Sequence, residues 1–445
     1  MGAKTRNIAQ TRLKRQILGL SRVYAFRQFG DHEVFVPGET YIPPSGKVIG
    51  GPEISNAVET ALDGHLTEGR WTDLFEKAMA KLIKVRYASL TNSGSSANLL
   101  AISALMSPLL KEHRLWPGDE VIVAAAGFPT TLNPVLQAGL QPLFIDVDLD
   151  TLVPTEEMVE AAIGKKTRAI FLAHTLGNPV PILDKIKEYE KRGIVLIEDN
   201  CDALGSTYHN RPTGGFGALA TQSFYPAHHI TCGEGGMVYT SNPILKKAVE
   251  SIRDWGRSCW CDPGKENTCG KRFDWTLADG LKVDHKYLYS HVGYNLKATD
   301  FQASIGLAQL DRFPKFVQAR SVNFRQIHVA LRPYEEWLIL PQKTPHSKPC
   351  WFGFPITVRD GAPFTRDQMV AFLNERKIGT RNLFGGNLLR QPAYAGLNAR
   401  QIGLLPNSNK VLADTFWIGV WPGIDDARLS YMLENLREFM KKWAR

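Results

Sequence analysis

The chain contains no run of about 18 uninterrupted apolar residues, so no segment reads as a membrane-spanning helix. Its first residues carry Lys4, Arg6, Arg12, Lys14 and Arg15 but no apolar core followed by a small-residue cleavage site. A signal peptide is therefore not expected; a basic helix on the surface is. A dense Lys/Arg run interleaved with aromatics is also missing. The net charge is +9, and the excess reads as spread along the chain. That pattern argues against nucleic acid and for an anionic small substrate, such as a nucleotide-linked one, or an acidic protein partner. Internal repeats and low-complexity tracts are absent. Cysteine is scarce: Cys201, Cys232, Cys259, Cys261, Cys269 and Cys350 are the six in 445 residues. With no export signal the expected location is cytoplasmic. Disulfides are then improbable, and clustered thiols point to metal.

What is present is enough for a large core. Hydrophobic residues make up 44% of the chain and charged ones 22%, and the length suggests two or three domains. Residues 1–35 read as a helical extension, followed by an irregular lead-in marked by Pro37, Pro43, Pro44 and Gly50-Gly51-Pro52. From Glu53 to Lys84 the apolar spacing predicts two helices broken at Gly64 and Gly69. Short apolar runs then alternate with helical patterns: Val121–Val123, Leu143–Ile145, Ala169–Leu172 and Ile194–Ile197, with a helix predicted at Ile182–Arg192. This alternation predicts an α/β fold with a mainly parallel sheet and chemistry at the carboxyl ends of its strands. The large domain is expected to cover residues 36–310, including a loop-rich insert at 257–292 that carries three of the cysteines. A long helix is expected from Asp300 to Leu331. Residues 311–445 are expected to form a smaller α+β C-terminal domain, with a strand near Phe354–Thr357 and helices at Arg366–Arg376 and Asp426–Trp443.

Four segments carry the candidate chemistry. Thr91-Asn92-Ser93-Gly94-Ser95-Ser96-Ala97 opens a helix, where backbone N–H groups favour an anion; taken alone, an ordinary N-cap would explain it equally well. Glu198-Asp199-Asn200-Cys201-Asp202 follows a strand, and a carboxylate there can hold a pyridinium nitrogen; an isolated aspartate at such a point more often caps a turn. The third segment is Ser223-Phe224-Tyr225-Pro226-Ala227-His228-His229, and the fourth is Gly293-Tyr294-Asn295-Leu296 with Asp300 and Gln302 after it.

In this order, over about residues 35–440, the segments resemble the sugar aminotransferase family acting on nucleotide-linked keto sugars. The resemblance implies an aspartate-aminotransferase-like (PLP-dependent fold type I) large domain. It also implies a pyridoxal or pyridoxamine phosphate cofactor (PLP or PMP). In that family a lysine two residues past the proline carries the coenzyme, 29 positions after the pyridinium aspartate. Here the aspartate is Asp199 and the lysine position is His228. By the same resemblance Phe128, in Gly127-Phe128-Pro129-Thr130, stacks on the ring, and Gly94, Ser95 and Ser223 contact the phosphate. Asn295 matches a phosphate ligand from the neighbouring subunit, which implies a homodimer with shared active sites. Asp202 stands where the aminotransferases usually have glutamine and Tyr225 where they often have histidine; both are placed near the cofactor. His229 is assigned no role.

No lysine occurs between Lys191 and Lys246, so nothing nearby replaces the missing amine. What remains is chemistry starting from PMP. An imidazole, with an ordinary pKa near ~6.5, suits removal of a proton from the cofactor methylene. The electrons released can expel the hydroxyl on carbon 3 of a 4-keto sugar, so His228 is expected to be the base of a dehydratase.

Cys201, Cys259, Cys261 and Cys269 give C-x57-C-x-C-x7-C. Four thiolates are the usual set for a [2Fe–2S] centre. Zinc is the rival, although structural zinc favours two C-x(2–4)-C knuckles, which this spacing lacks. With histidine in place of lysine, the pattern resembles the CDP-4-keto-6-deoxyglucose 3-dehydrase group of the DegT/DnrJ/EryC1/StrS family. That group includes lipopolysaccharide-synthesis members and a TDP-sugar relative. The resemblance implies a nucleotide-linked 4-keto-6-deoxyhexose substrate (CDP first, TDP second) and one-electron reduction by an NAD(P)H-dependent flavin or iron–sulfur reductase. Cys232 and Cys350 match no ligand position and are expected to be buried. A zinc-bearing dehydratase without a redox role and a non-catalytic homologue are the alternatives.

Overall fold

The computed structural model describes residues 3–30, 34–259, 261, 267–397 and 399–443. Part of the cysteine-bearing insert, residues 260 and 262–266, therefore lies outside the described residues, as do 31–33 of the N-terminal extension.

Eight strands form the central sheet, in the spatial order Tyr87–Thr91, Gly236–Thr240, Leu219–Ser223, Val195–Asp199, Thr167–Ala173, Glu120–Ala124, Gln141–Ile145 and Arg400–Gln401. Among them only Gly236–Thr240 runs against the rest. The apolar runs form strands buried on both faces because alternate side chains enter different cores. Val121, Val123, Ala169, Phe171 and Ile197 pack with Leu100, Leu132, Leu245 and Val249 on one side. Ile122, Ile170, Leu172 and Leu196 pack with Val159, Ile182 and Tyr189 on the other.

A second sheet, Leu338–Ile339, Gly353–Val358, Thr415–Gly419 and Thr380–Asn382, is antiparallel throughout. It shares a core with the helices Phe313–Leu331, Arg366–Glu375 and Asp426–Lys441. The chain crosses between the two units more than a linear division suggests. Ile42 from the lead-in is buried in the second core and bridges Ile378, while Arg400–Gln401 extends the first sheet beside Gln141–Ile145.

Some expected elements differ in extent. The single helix expected over Asp300–Leu331 is two, Asp300–Leu310 and Phe313–Leu331. Pro314 explains the break: it lacks an N–H and suits the first turn of a new helix. The helix expected at 182–192 is only Ile186–Lys191. The break between Gly51–Asp63 and Arg70–Ile83 is as expected, with Gly64 at φ 70° closing the first of them.

The N-terminal extension is the helix Ala3–Phe29, packed along Gly51–Asp63, with Lys14 paired to Asp63 at 2.6 Å and Glu59 at 3.2 Å. Its sequence holds seven lysines and arginines and no acidic residue. The chain as a whole has 53 basic and 44 acidic residues, an excess of nine, so everything outside this helix carries about two. The charge is thus concentrated rather than spread, which corrects the reading from sequence. No described helix is long and apolar enough to cross a membrane.

Candidate active site

The parallel strands end on one edge of the sheet, and the candidate residues collect there. Asp199 closes the strand Val195–Asp199 and is 5% exposed. Its Oδ2 accepts from the Thr131 hydroxyl at 2.7 Å and from Asn98 Nδ2 at 3.0 Å; its Oδ1 accepts from the Cys201 N–H at 3.2 Å. Three donors from three elements fix the carboxylate in one orientation.

Beside it, the helix Gly94–Leu105 begins directly after the strand Tyr87–Thr91. The Ser93 hydroxyl accepts from the Ser96 N–H at 3.1 Å, so Ser93 is the N-cap. The first N–H groups of a helix have no acceptor inside it, and those of Gly94 and Ser95 lead this one. Ser223, at the end of Leu219–Ser223, lies so close that a Cβ on Gly94 would sit 2.5 Å from Ser223 Cβ and 2.9 Å from its Oγ. Glycine at 94 is what allows a hydroxyl and a helix N-terminus to share one anion-sized space.

A turn after Ser223 presents His228, whose N–H donates to the Tyr225 carbonyl at 2.9 Å. The His228 side chain is 16% exposed and its ring lies 5.2 Å from that of Phe352. Nδ1 is 3.5 Å from Asp202 Oδ1. The alignment is not that of a hydrogen bond, and Nδ1 remains a buried polar atom without one. Asp202 Oδ2 accepts instead from the Leu176 N–H at 3.3 Å, with Leu176 held in the left-handed region at φ 49°. Burial pushes His228 down to about 4; Asp199 opposes this and Arg320 adds to it. Burial and the neighbouring Asp199 push Asp202 up to about 7, against the Leu176 N–H and Arg320. The imidazole is therefore a far weaker base in the bare pocket than its ordinary value suggested. It is neutral at pH 7.

Arg320 had no signal in the sequence. It is among the largest fully buried side chains, donating to the carbonyls of Phe352 at 3.0 Å, Trp351 at 3.2 Å and His228 at 3.5 Å. Burial lowers its pKa to about 10. His229 is buried with Nε2 2.8 Å from the Cys350 carbonyl, a packed core histidine. Thr131 and Asn98, the Asp199 partners, also went unread. The signal available was spacing: Asn98 is one helical turn past Gly94, and Thr131 directly follows the Gly127–Thr130 segment.

Phe128 is half exposed at the edge of this space, its ring 5.8 Å from Phe384 in an edge-on contact. Tyr225 is also half exposed. Asn295 is exposed, in a segment bridged to Asp254, and its neighbour Leu296 accepts from the Asn92 N–H at 2.9 Å. The donor set suits a pyridoxal-type coenzyme: N–H groups and a hydroxyl for a phosphate, a fixed carboxylate for a ring nitrogen, and an open aromatic face for the ring.

The cysteines divide. Cys232 and Cys350 are buried, as expected. Cys259, Cys261 and Cys269 surround the buried ring of His285, with Sγ to Nε2 distances of 3.2, 3.6 and 3.5 Å. The donor atoms of Cys259, Cys261 and His285 lie within 4.8 Å of one another. Burial raises the Cys261 thiol, yet hydrogen bonds with Thr268, the Cys269 backbone, His285 and Cys259 bring it down to about 6. Cys201 is not a member of that group among the described residues. It lies two residues past Asp199, just beyond the end of the strand, where burial and the carboxylates of Asp199 and Asp202 push its thiol well up. His285, which the sequence reading passed over, lies among the three thiols of the insert.

The sequence model of the DegT/DnrJ/EryC1/StrS aminotransferase family matches residues 49–437. The chain is 50% identical over 428 residues to the lipopolysaccharide biosynthesis protein RfbH of Salmonella typhimurium, covering 96% of this chain and 98% of that one. It is 51% identical over 433 residues to the dTDP-4-dehydro-2,6-dideoxy-D-glucose 3-dehydratase of Saccharopolyspora spinosa, covering 96% and 92%. In three dimensions it is similar to the E. coli GDP-4-keto-6-deoxy-D-mannose-3-dehydratase with bound hydrated PLP. The TM-score is 0.78 at 28% identity, over 89% of this chain and 99% of that one.

Proposed function

The chain belongs to the DegT/DnrJ/EryC1/StrS aminotransferase family, and from that premise we propose that it is a dehydratase rather than an aminotransferase. Its substrate is a nucleotide-linked 4-keto-6-deoxyhexose, with CDP as the first choice of nucleotide and dTDP as the second, and it removes the 3-hydroxyl. The observation that carries this reading is an imidazole, His228, at the position where the family keeps its lysine, with no lysine between Lys191 and Lys246. The 3-dehydratases named among its relatives support it.

Gly94, Ser95 and Ser223 would hold the phosphate of PMP, Asp199 its ring nitrogen and Phe128 its ring face, with Tyr225 and Asp202 beside it. Bound PMP supplies an amine that can engage a ketone and a ring that takes up and returns electrons. His228 Nδ1 faces Asp202, which leaves Nε2 as the nitrogen that accepts a proton from the reacting centre. A proton placed there would have Asp202 3.5 Å from Nδ1, and the Asp199 carboxylate opposes the effect of burial. Arg320 fixes the turn by holding the His228 carbonyl. Asn295, exposed on its own chain, would complete a phosphate site on a second copy, which makes the working unit a homodimer.

Replacing a hydroxyl by hydrogen consumes two electrons and two protons and releases water. The thiols of Cys259, Cys261 and Cys269 are suited to a [2Fe–2S] centre that passes those electrons one at a time from an NAD(P)H-dependent flavin or iron–sulfur reductase. Cys201, from the family pattern, and His285, from the geometry, are the two claimants for the fourth position. One observation favours a second reading: a mixed thiol and imidazole set is also a structural zinc site.

The test is an anaerobic assay of PMP-loaded protein against CDP- and dTDP-4-keto-6-deoxyglucose, with metal and sulfide analysis of the same sample. Release of the 3-hydroxyl, absent in His228→Asn with PMP still bound, is the expected result. Transfer of an amino group from glutamate to the sugar would overturn the proposal. Zinc without iron would remove the redox role and leave the elimination standing.

A further inference from the structure

We infer that the buried pair His174 and Glu198 positions the reacting groups: by fixing the turn Thr175–Gly177 it sets where Asp202 stands against His228. The inference rests on the reading of His228 as the base and adds two positioning residues that act through that turn.

Glu198 is next to Asp199 in the strand Val195–Asp199, and successive side chains of a strand leave opposite faces of the sheet, so the two carboxylates part. Glu198 is 1% exposed and faces four donors: the N–H groups of Gly214, Phe216 and Gly217, each at 2.7 Å, and His174 Nε2 at 3.1 Å. His174 lies just past the neighbouring strand Thr167–Ala173 and is fully buried, and its Nδ1 accepts from the Val180 N–H at 3.1 Å. A ring nitrogen that accepts an N–H carries no hydrogen of its own, so the ring hydrogen is on Nε2 and points at Glu198. The imidazole is thereby held in one tautomer and one orientation.

The turn hangs on this residue at both ends. The His174 N–H donates to the Asp199 carbonyl at 3.0 Å, and its carbonyl accepts from the Gly177 N–H at 3.0 Å, while Nδ1 holds Val180 beyond the turn. Between these anchors Leu176 is kept at φ 49°, a conformation that leucine retains only where its surroundings impose it. That conformation aims two backbone groups at the site. The Leu176 N–H meets Asp202 Oδ2 at 3.3 Å, and the Leu176 carbonyl accepts from the Phe352 N–H at 2.9 Å. Asp202 and Phe352 are the two side chains set against the His228 ring. One turn therefore fixes both neighbours of the base, and the buried pair fixes the turn.

The experiment compares His174→Gln with His174→Asn in the full-length protein. Glutamine reaches the Nε2 position and can still donate to Glu198; asparagine reaches only the Nδ1 position and leaves Glu198 without that donor. Three quantities are read: PMP affinity by absorbance titration, kcat and KM for elimination from CDP-4-keto-6-deoxyglucose, and the pH titration of the His228 ring by nitrogen-15 NMR in coenzyme-free protein, assigned with His228→Asn. His174→Asn should lower kcat at least about tenfold with KM and PMP affinity unchanged. It should also displace the His228 midpoint by at least about half a pH unit. His174→Gln should stay close to the wild type in both. Leu176→Gly leaves the pair in place but frees the turn, and should reproduce the His228 displacement even if asparagine at 174 impairs folding. An unchanged His228 midpoint in folded His174→Asn or in Leu176→Gly overturns the inference, as does an equal loss in His174→Gln. Elimination that survives in His228→Asn would instead remove the reading of the base. The NMR titration needs neither coenzyme nor turnover and would still judge the pair.

Discussion

His228 Nδ1 and Asp202 Oδ1 lie 3.5 Å apart in a buried setting, too poorly aligned for a hydrogen bond. Their proton affinities are displaced in opposite directions, to about 4 for the imidazole and about 7 for the carboxyl.

That opposition sets a pH dependence of stability. His228 is depressed, so its contribution is full above its ordinary value near ~6.5 and is lost as pH falls toward about 4, roughly 3 kcal/mol in all. Asp202 is raised, so its contribution is full below about 3.8 and is lost as pH rises through about 7, roughly 4 kcal/mol. Between pH 4 and 6.5 the two slopes offset each other. Urea melts across that range should therefore be nearly flat for this pair in the wild type. Asp202→Asn should lose stability on acidification, and His228→Asn should gain it. Parallel curves for all three proteins would refute the pairing.

Gly94→Val should empty the phosphate cradle. Its Cβ would sit 2.5 Å from Ser223 Cβ, so one backbone must shift. Overpacking of this kind costs about 1–3 kcal/mol. PMP affinity, followed by absorbance titration, should fall at least about tenfold. Unchanged affinity would place the phosphate elsewhere.

Arg320→Met keeps the length of the stem but removes donors from the Phe352, Trp351 and His228 carbonyls. Leaving them buried without partners should cost about 2–4 kcal/mol in a denaturant melt. Water elimination should slow while PMP binding persists, because the turn bearing His228 loses its anchor.

Cys261→Ser should bleach the visible absorption of the reconstituted centre and stop reductive turnover, while a first elimination in the presence of PMP survives. Full turnover with a reductase in that variant would remove the centre from the electron path.

The sheet was legible because its strands are apolar runs bounded by turns, with alternate residues feeding two cores, as Val121, Ile122 and Val123 do. Asp199 and Gly94 were legible because strand ends and helix starts leave marks in sequence, whereas Ser223 came from the family resemblance; the sheet gathers all three on one edge. Arg320 and His285 left none. Each is brought to its place by a distant element, the helix Phe313–Leu331 in one case and the hairpin after Trp275 in the other. Nothing local distinguishes them from a surface arginine or an ordinary loop histidine. The depressed basicity of His228 was hidden for the same reason, since burial depends on what the rest of the chain packs above it.

The helix Ala3–Phe29 has one more effect. Because it holds seven of the nine excess positive charges, a chain cut after it would stand close to electroneutrality at neutral pH. Mutual repulsion between copies in dilute salt would weaken with the loss of this segment, which packs along Gly51–Asp63.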